Sequence, residues 1–265
     1  MHPKQLTPGK KGSKLAAFLI AVMCLMLLAV IPATAQTKEV MEPTMSEEDE
    51  VAPTEEGPTP QEQTVQEAEK LILSFDADPE LDWFRANMKN AEGVLIIPEY
   101  YAAGLIASVG GGNGVLLVQD RNTGEWSQPA FYSAGALGVG ATVGAQTSEI
   151  VVMLMSEKAI EAFQQTKFDL GGAGNVTLGP MGGVAAEDTS GELVVYGRSK
   201  GLYLSLNLAG VTIATHDDYN EAYYGKAATP KQIMANEVTN AYSSDLQWAV
   251  QTVGKKIRRC TFCRP

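Results

Sequence analysis

The feature that most constrains this chain is a series of short apolar runs, each bounded by glycine or proline, that begins after Gly93. Val94-Leu95-Ile96-Ile97, Leu105-Ile106-Ala107, Val115-Leu116-Leu117-Val118 and Ile150 to Met155 are too short for helices and read as strands. Arg121-Asn122-Thr123-Gly124 supplies a hairpin turn, and Trp126 and Phe131-Tyr132 resume the sheet. From Gly135 to Ala145 small and apolar residues alternate, which suits a strand in a tight bend or against a close backbone. Val176 to Leu178, Leu193 to Tyr196, Leu202 to Leu206 and Val211 to Ala214 complete the set, with Asn207-Leu208-Ala209-Gly210 as a turn. Many close strands with abundant glycine predict an α+β fold: a curled or barrel-like antiparallel β-sheet with flanking N-terminal, central and C-terminal helices.

The helices have their own signals. Val65, Ala68, Ile72 and Phe75 share one helical face. Asp78-Pro79 reads as an N-cap and N1 pair opening a second helix, with Leu81, Phe84, Met88 and Ala91 inward and Gly93 closing it. Ser156 caps a central helix through about Gln165, with Ala159, Ile160 and Phe163 inward. Thr229-Pro230-Lys231-Gln232 is a capping box, followed by a stripe of Met234, Val238, Ala241, Tyr242 and Ala249.

The N-terminal quarter is organised differently. Lys4, Lys10, Lys11 and Lys14 precede an apolar run from Leu15 to Ile31, then Pro32 and Ala33-Thr34-Ala35. A basic start, an apolar middle and small residues at the end make a secretory signal over residues 1–35, and export to a periplasmic or extracellular location follows as an expectation. Residues 36–64 are rich in Pro, Glu, Thr and Ser around Glu47-Glu48-Asp49-Glu50, and predict an acidic disordered linker. The domain is expected over residues 65–250 and a basic tail over 251–265.

Charge and composition narrow the function. The net charge is −11, and loss of the four signal lysines takes it to −15. Nucleic acid, which needs a basic face, is excluded as a partner. After Cys24 in the signal, only Cys260 and Cys263 remain, so no disulfide framework holds the domain. Their CxxC lacks the second pair a zinc site needs; it forms a local disulfide or lies in a disordered end. His216 is the one histidine outside the signal, so multi-histidine metal sites are excluded. His216-Asp217-Asp218 reads as a solvated turn. Gly110-Gly111-Gly112-Asn113-Gly114 leads into a strand rather than a helix, so it is a bend between strands and not a phosphate cradle. There is no G-x-S-x-G elbow. No enzyme activity and no cofactor are expected.

The glycine-bounded strands also carry a resemblance. Ala91-Glu92-Gly93-Val94-Leu95-Ile96-Ile97-Pro98, Asn113-Gly114-Val115-Leu116-Leu117-Val118 and Gly124-Glu125-Trp126-Ser127-Gln128-Pro129-Ala130-Phe131-Tyr132 follow one another in order. Leu178-Gly179-Pro180-Met181-Gly182, Tyr196-Gly197-Arg198-Ser199-Lys200-Gly201-Leu202-Tyr203 and Asn220-Glu221-Ala222-Tyr223-Tyr224-Gly225 continue the set. The chain resembles exported bacterial members of the SYLF domain family from about Val65 to Gly225. The resemblance implies a non-enzymatic module. Fungal and animal relatives bind phosphoinositide membranes, and fungal ones bind and bundle actin.

Lipid contacts implied on this reading are Arg198, Lys200 and Lys226 in the domain, and Lys255, Lys256, Arg258 and Arg259 in the tail. Each has a plain alternative: local pairing with acids for the first three, and compensation of the last helix's dipole for the tail. A basic side chain near an anionic surface contributes about 1 kcal/mol, so the tail could supply a few. The expected partners are an anionic lipid or membrane surface, or a protein of the cell envelope. The segment Gln61 to Phe75 carries Glu62, Glu67 and Glu69 against Lys70, which suits headgroup binding poorly.

Overall fold

The computed structural model describes residues 57–104, 107–139, 144–170, 176–180, 191–199, 202–203 and 211–255. The signal, most of the linker, Lys200, Lys256, Arg258, Arg259, the Cys260–Cys263 pair and the Asn207–Gly210 turn therefore lie outside the described residues.

Helix α1 runs Pro60–Ala77 and begins inside the stretch expected to be linker. Thr59 explains this: its side chain accepts from the Glu62 amide, the Glu62 carboxylate accepts from the Thr59 amide, and Pro60 occupies N1. Val65, Ala68, Leu71, Ile72 and Phe75 form its buried stripe. Asp78 closes α1 rather than opening the next helix. Its carboxylate accepts from the Glu80 amide and its carbonyl from Leu81 N, so 78–81 is a turn. Helix α2 starts later, at Asp82–Asn87, and runs into a 3-10 turn at Met88–Asn90. Gly93 does not cap it; Gly93 is the first residue of β1.

The sheet comprises β1 (Gly93–Gly104), β2 (Ala107–Val118), β3 (Ala130–Val139), β4 (Gly144–Leu154), β5 (Lys167–Asp169), β6 (Val176–Leu178), β7 (Leu193–Ser199), β8 (Leu202–Tyr203) and β9 (Val211–Thr215). Their order is β5-β9-β3-β2-β1-β4-β7-β6, with β8 also on β7. All pairs are antiparallel except β6 with β7. The sheet is curled, and β5 and β6 end the path, so among the described residues it stays open.

Helix α3 (Glu157–Phe163) is capped by the Ser156 hydroxyl and buries Ala159 and Phe163. Helix α4 (Asp217–Tyr224) is an addition to the sequence reading: His216 is its N-cap position, not part of a solvated turn, and two aspartates fill its first turn. Helix α5 (Pro230–Met234) has the expected capping box. The stripe expected to continue from Met234 is broken by Asn236 at φ 57°, and the Asn240 side chain starts a 3-10 turn at Ala241–Ser243. Helix α6 then spans Ser244–Thr252.

The apolar runs are continuous because half of the sheet is covered on both faces. Val94 and Ile96 of β1 join Val115, Leu117, Phe131, Val151 and Met153 in one core with residues of α1, α2, α4 and α6. Leu95 and Ile97 join Leu116, Tyr132, Val152 and Leu154 in the other, with α3 and α5. Phe75, Phe84 and Tyr196 pack edge-to-face at 5.5–6.4 Å between ring centroids in the first core.

The glycine run Gly110–Gly114 is not a bend. It lies inside β2 and pairs with β1 on one side and β3 on the other. Strand β1 carries a register shift between Ile96 and Glu99, around the buried Pro98. The bulge pushes β1 backbone toward β2. A Cβ at Gly112 would meet the Glu99 carbonyl oxygen at 2.2 Å, and one at Gly114 the Ile96 carbonyl oxygen at 2.4 Å.

Candidate functional site

Beyond the bulge the four central strands leave the helices behind. β1 changes from fully buried to alternately exposed from Glu99 onward. Strand pairing sets Tyr101, Gly111, Gly135 and Thr147 in one row, and Ala103, Val109, Leu137 and Ala145 in the next. Alternation puts both rows on the face that α1 covers farther down. The result is a shelf with a groove of about 600 Å³, lined by Tyr101, Ala103, Val109, Gly111, Ala145 and Thr147 among others. Tyr101 is 55% exposed, Val109 59% and Leu137 82%. Exposed apolar side chains in one continuous patch mark an interaction surface. No charged residue occurs from Tyr100 to Gln119 or from Trp126 to Ser148.

Where the shelf meets α1, the next row is polar. Glu99, Glu149 and Arg198 of the sheet, with Glu67, Lys70 and Ser74 of α1, line a notch of about 350 Å³. The Tyr101 hydroxyl donates to Glu99 Oε2 at 2.6 Å, joining shelf and notch. This hydrogen bond, with the Glu99 charge, raises the Tyr101 pKa. Burial raises the Glu67 pKa, Glu99 adds to the rise, and Lys70 partly offsets it. Among the described residues neither Glu67 nor Glu99 closes an ion pair.

Arg198 is committed within the fold. Its Nε donates to Glu149 Oε2 at 2.7 Å, its Nη2 to Ser74 Oγ at 2.7 Å, and Nη1 lies 3.7 Å from Asp78 Oδ2. Its guanidinium carbon stands 4.8 Å from the Phe75 ring centroid, and the side chain is 14% exposed. It ties the last turn of α1 to β4 and β7. Lys226 is exposed just past Gly225, which ends α4 with φ 68°. Lys255 is exposed just past α6. Arg198 lies on β7 and Lys226 follows α4, while Lys255 follows Gly254, whose amide donates to Asp76 Oδ1 at 2.8 Å near the Arg198 partner Asp78 at the end of α1.

No group of three or more His, Cys, Asp or Glu side chains that could hold a metal occurs among the described residues. His216 stacks on Tyr219 with ring centroids 3.8 Å apart. Burial lowers its pKa, partly offset by Asp218 and Asp217. No helix among the described residues is long and apolar enough to cross a membrane.

Reasoning from the sequence missed the shelf and Glu67, Lys70, Glu99 and Glu149 as a group. Exposed apolar residues look like core residues in a sequence. The available signal was the absence of charge over two paired stretches of about twenty residues.

Residues 135–253 match the Ysc84 family, described as Las17-binding protein actin regulator. Protein YSC84 of Saccharomyces cerevisiae is 32% identical over 158 residues, 57% of this chain and 33% of that protein. An SH3 domain-containing protein of Schizosaccharomyces pombe is 29% identical over 165 residues, covering 60% and 38%. The SH3 domain-containing YSC84-like protein 1 of Xenopus laevis is 30% identical over 141 residues, covering 51% and 42%. The chain thus spans between a third and about two fifths of these relatives' lengths. No solved structure matches it. Residues 135–253 are thus the part of the chain that matches the Ysc84, or SYLF, domain family.

Proposed function

We propose that the chain is an exported, non-enzymatic module that binds a membrane surface through the uncharged shelf of its sheet. The observation that carries this reading is the exposure of Leu137, Val109 and Tyr101 on a face with no charged side chain in its two shelf rows. The apolar run Leu15–Ile31 behind four lysines supports export.

Size argues for lipid over a protein partner on this face. Four strands about 4.8 Å apart and four residues deep cover on the order of 250 Å². A stable protein interface buries about 800 Å² on each partner. At ~25 cal/mol per Å², such a patch contributes at most about 6 kcal/mol before the costs of binding, which fits reversible surface attachment. The acidic body repels anionic headgroups, so an uncharged contact is the effective one. Arg198 acts as a strut in this reading. Lys226, Lys255 and the basic tail add attraction where the surface is anionic. The description of the matched family as a Las17-binding protein actin regulator favours a second reading, a protein-partner module, in which this face or the acidic α1 meets another envelope protein.

Vesicle flotation tests the proposal. The exported, processed protein should float with phosphatidylcholine vesicles, and a Val109→Asp/Leu137→Asp variant should stay at the bottom while remaining folded. Equal flotation of both proteins, or of neither, would overturn the shelf as the contact.

A further inference from the structure

We propose that the notch at the foot of the shelf recognises the primary ammonium of a zwitterionic phospholipid headgroup, with Glu67 and Glu99 as its acceptors and Lys70 facing the phosphate. This rests on the membrane reading of the shelf and specifies the lipid.

The charges in the notch do not cancel internally. Glu149 is matched by Arg198 at 2.7 Å, which leaves Glu67 and Glu99 facing one lysine. Both signs are therefore open to a ligand: two carboxylates without an ion pair, and the ammonium of Lys70 within the same 350 Å³. Two like charges lining one notch are relieved by a bound cation. A purely anionic headgroup would meet those carboxylates and be rejected. A quaternary ammonium has no N–H to donate to them, whereas a primary ammonium has three.

Position supplies the second argument. The shelf and the notch are consecutive rows on one face of β1, linked by the Tyr101–Glu99 hydrogen bond. A lipid whose acyl region meets Val109 and Leu137 therefore has its headgroup beside Glu99 and Lys70. An amphiphile with an apolar body and a head carrying both charges matches the apolar and mixed-charge parts in their order along the strand. A free phosphoethanolamine shares the head chemistry but leaves the shelf unused.

The test uses vesicles of phosphatidylcholine alone and of phosphatidylcholine with phosphatidylethanolamine, and the wild-type protein beside Glu67→Gln/Glu99→Gln. Ethanolamine lipid should raise wild-type affinity about two- to fivefold, the range of one partly exposed charged contact. The double variant should bind phosphatidylcholine as wild type does and lose that preference. A preference that survives in the variant would assign it to lipid packing and overturn the headgroup site, as would no preference in the wild type; both leave the shelf reading intact. Amide shift changes on titrating soluble phosphoethanolamine and phosphocholine give a readout independent of vesicles. Changes at Glu67 and Glu99 with the first and not the second are expected. Changes with neither, or capture of a lysine-rich peptide without ethanolamine lipid binding, would sink the proposal.

Discussion

Two neighbouring glycines of β2, Gly111 and Gly112, should respond in opposite ways to alanine. Gly112 lies against the bulge of β1: a Cβ there would stand 2.2 Å from the Glu99 carbonyl oxygen and 3.1 Å from the Tyr100 Cα. Both are backbone atoms in the middle of a sheet, so neither can rotate away. Gly112→Ala must move one strand relative to the other. Overpacking of this kind costs about 1–3 kcal/mol, and a backbone clash without a rotamer escape belongs at the upper end. At Gly111 the nearest neighbour of an added Cβ is the Ala134 carbonyl oxygen at 3.5 Å, an ordinary contact. Gly111→Ala should therefore be neutral or stabilise by about 0.4–1 kcal/mol through the unfolded chain. Urea unfolding followed by tryptophan fluorescence gives both values, with a check that the slopes agree. For a domain of this size the loss at Gly112 corresponds to roughly 6–12 °C in Tm. Coincident midpoints for the two variants would refute the account of why β2 carries glycine.

Three further outcomes follow from the geometry. Asn220 is fully buried and both accepts from the Phe131 amide and donates to its carbonyl, so Asn220→Ala should cost about 2–3 kcal/mol in urea unfolding. Arg198→Met keeps an apolar stem over Phe75 and leaves Glu149 able to hydrate; it should cost about 1–2 kcal/mol while vesicle flotation is unchanged. The His216 pKa is lowered in the folded state, so the fold binds fewer protons there than the open chain: stability is full above pH about 6.5 and declines as pH falls through that value. His216→Asn should flatten the change in urea midpoint between pH 7.5 and 5.5, and an unchanged slope would count against it.

The sequence showed most strands and the helix caps, because those are local statements. Four-residue apolar runs, the Thr229 and Ser156 caps and the Gly124 turn each depend on neighbours within a few residues. What it hid was set by distant ones. Gly110–Gly114 looks like a bend, since glycine usually marks a turn; here the requirement at Gly112 and Gly114 comes from the bulge at Pro98 on the paired strand. Asp78-Pro79 looks like a helix start because the same residues also build turns. The helical stripe after Met234 ignores Asn236, whose left-handed φ breaks it. His216-Asp217-Asp218 reads as a polar turn, yet acidic residues equally suit the first turn of α4. Arg198 stood out for its charge, but its partners Ser74 and Asp78 lie 120 or more residues away. The shelf was hidden because Val109 and Leu137 look like core residues until the strands are seen to outrun the helices.

The most direct measurement of the central claim is the surroundings of Leu137 on a membrane. In a background with Cys24, Cys260 and Cys263 replaced by serine, a fluorescent probe on Leu137→Cys is compared with one on Glu237→Cys, an exposed site beyond α5. On phosphatidylcholine vesicles the probe at 137 should shift to the blue and become shielded from an aqueous quencher, while that at 237 stays open. A vesicle-bound protein whose probe at 137 remains as quenchable as in free solution would contradict the account.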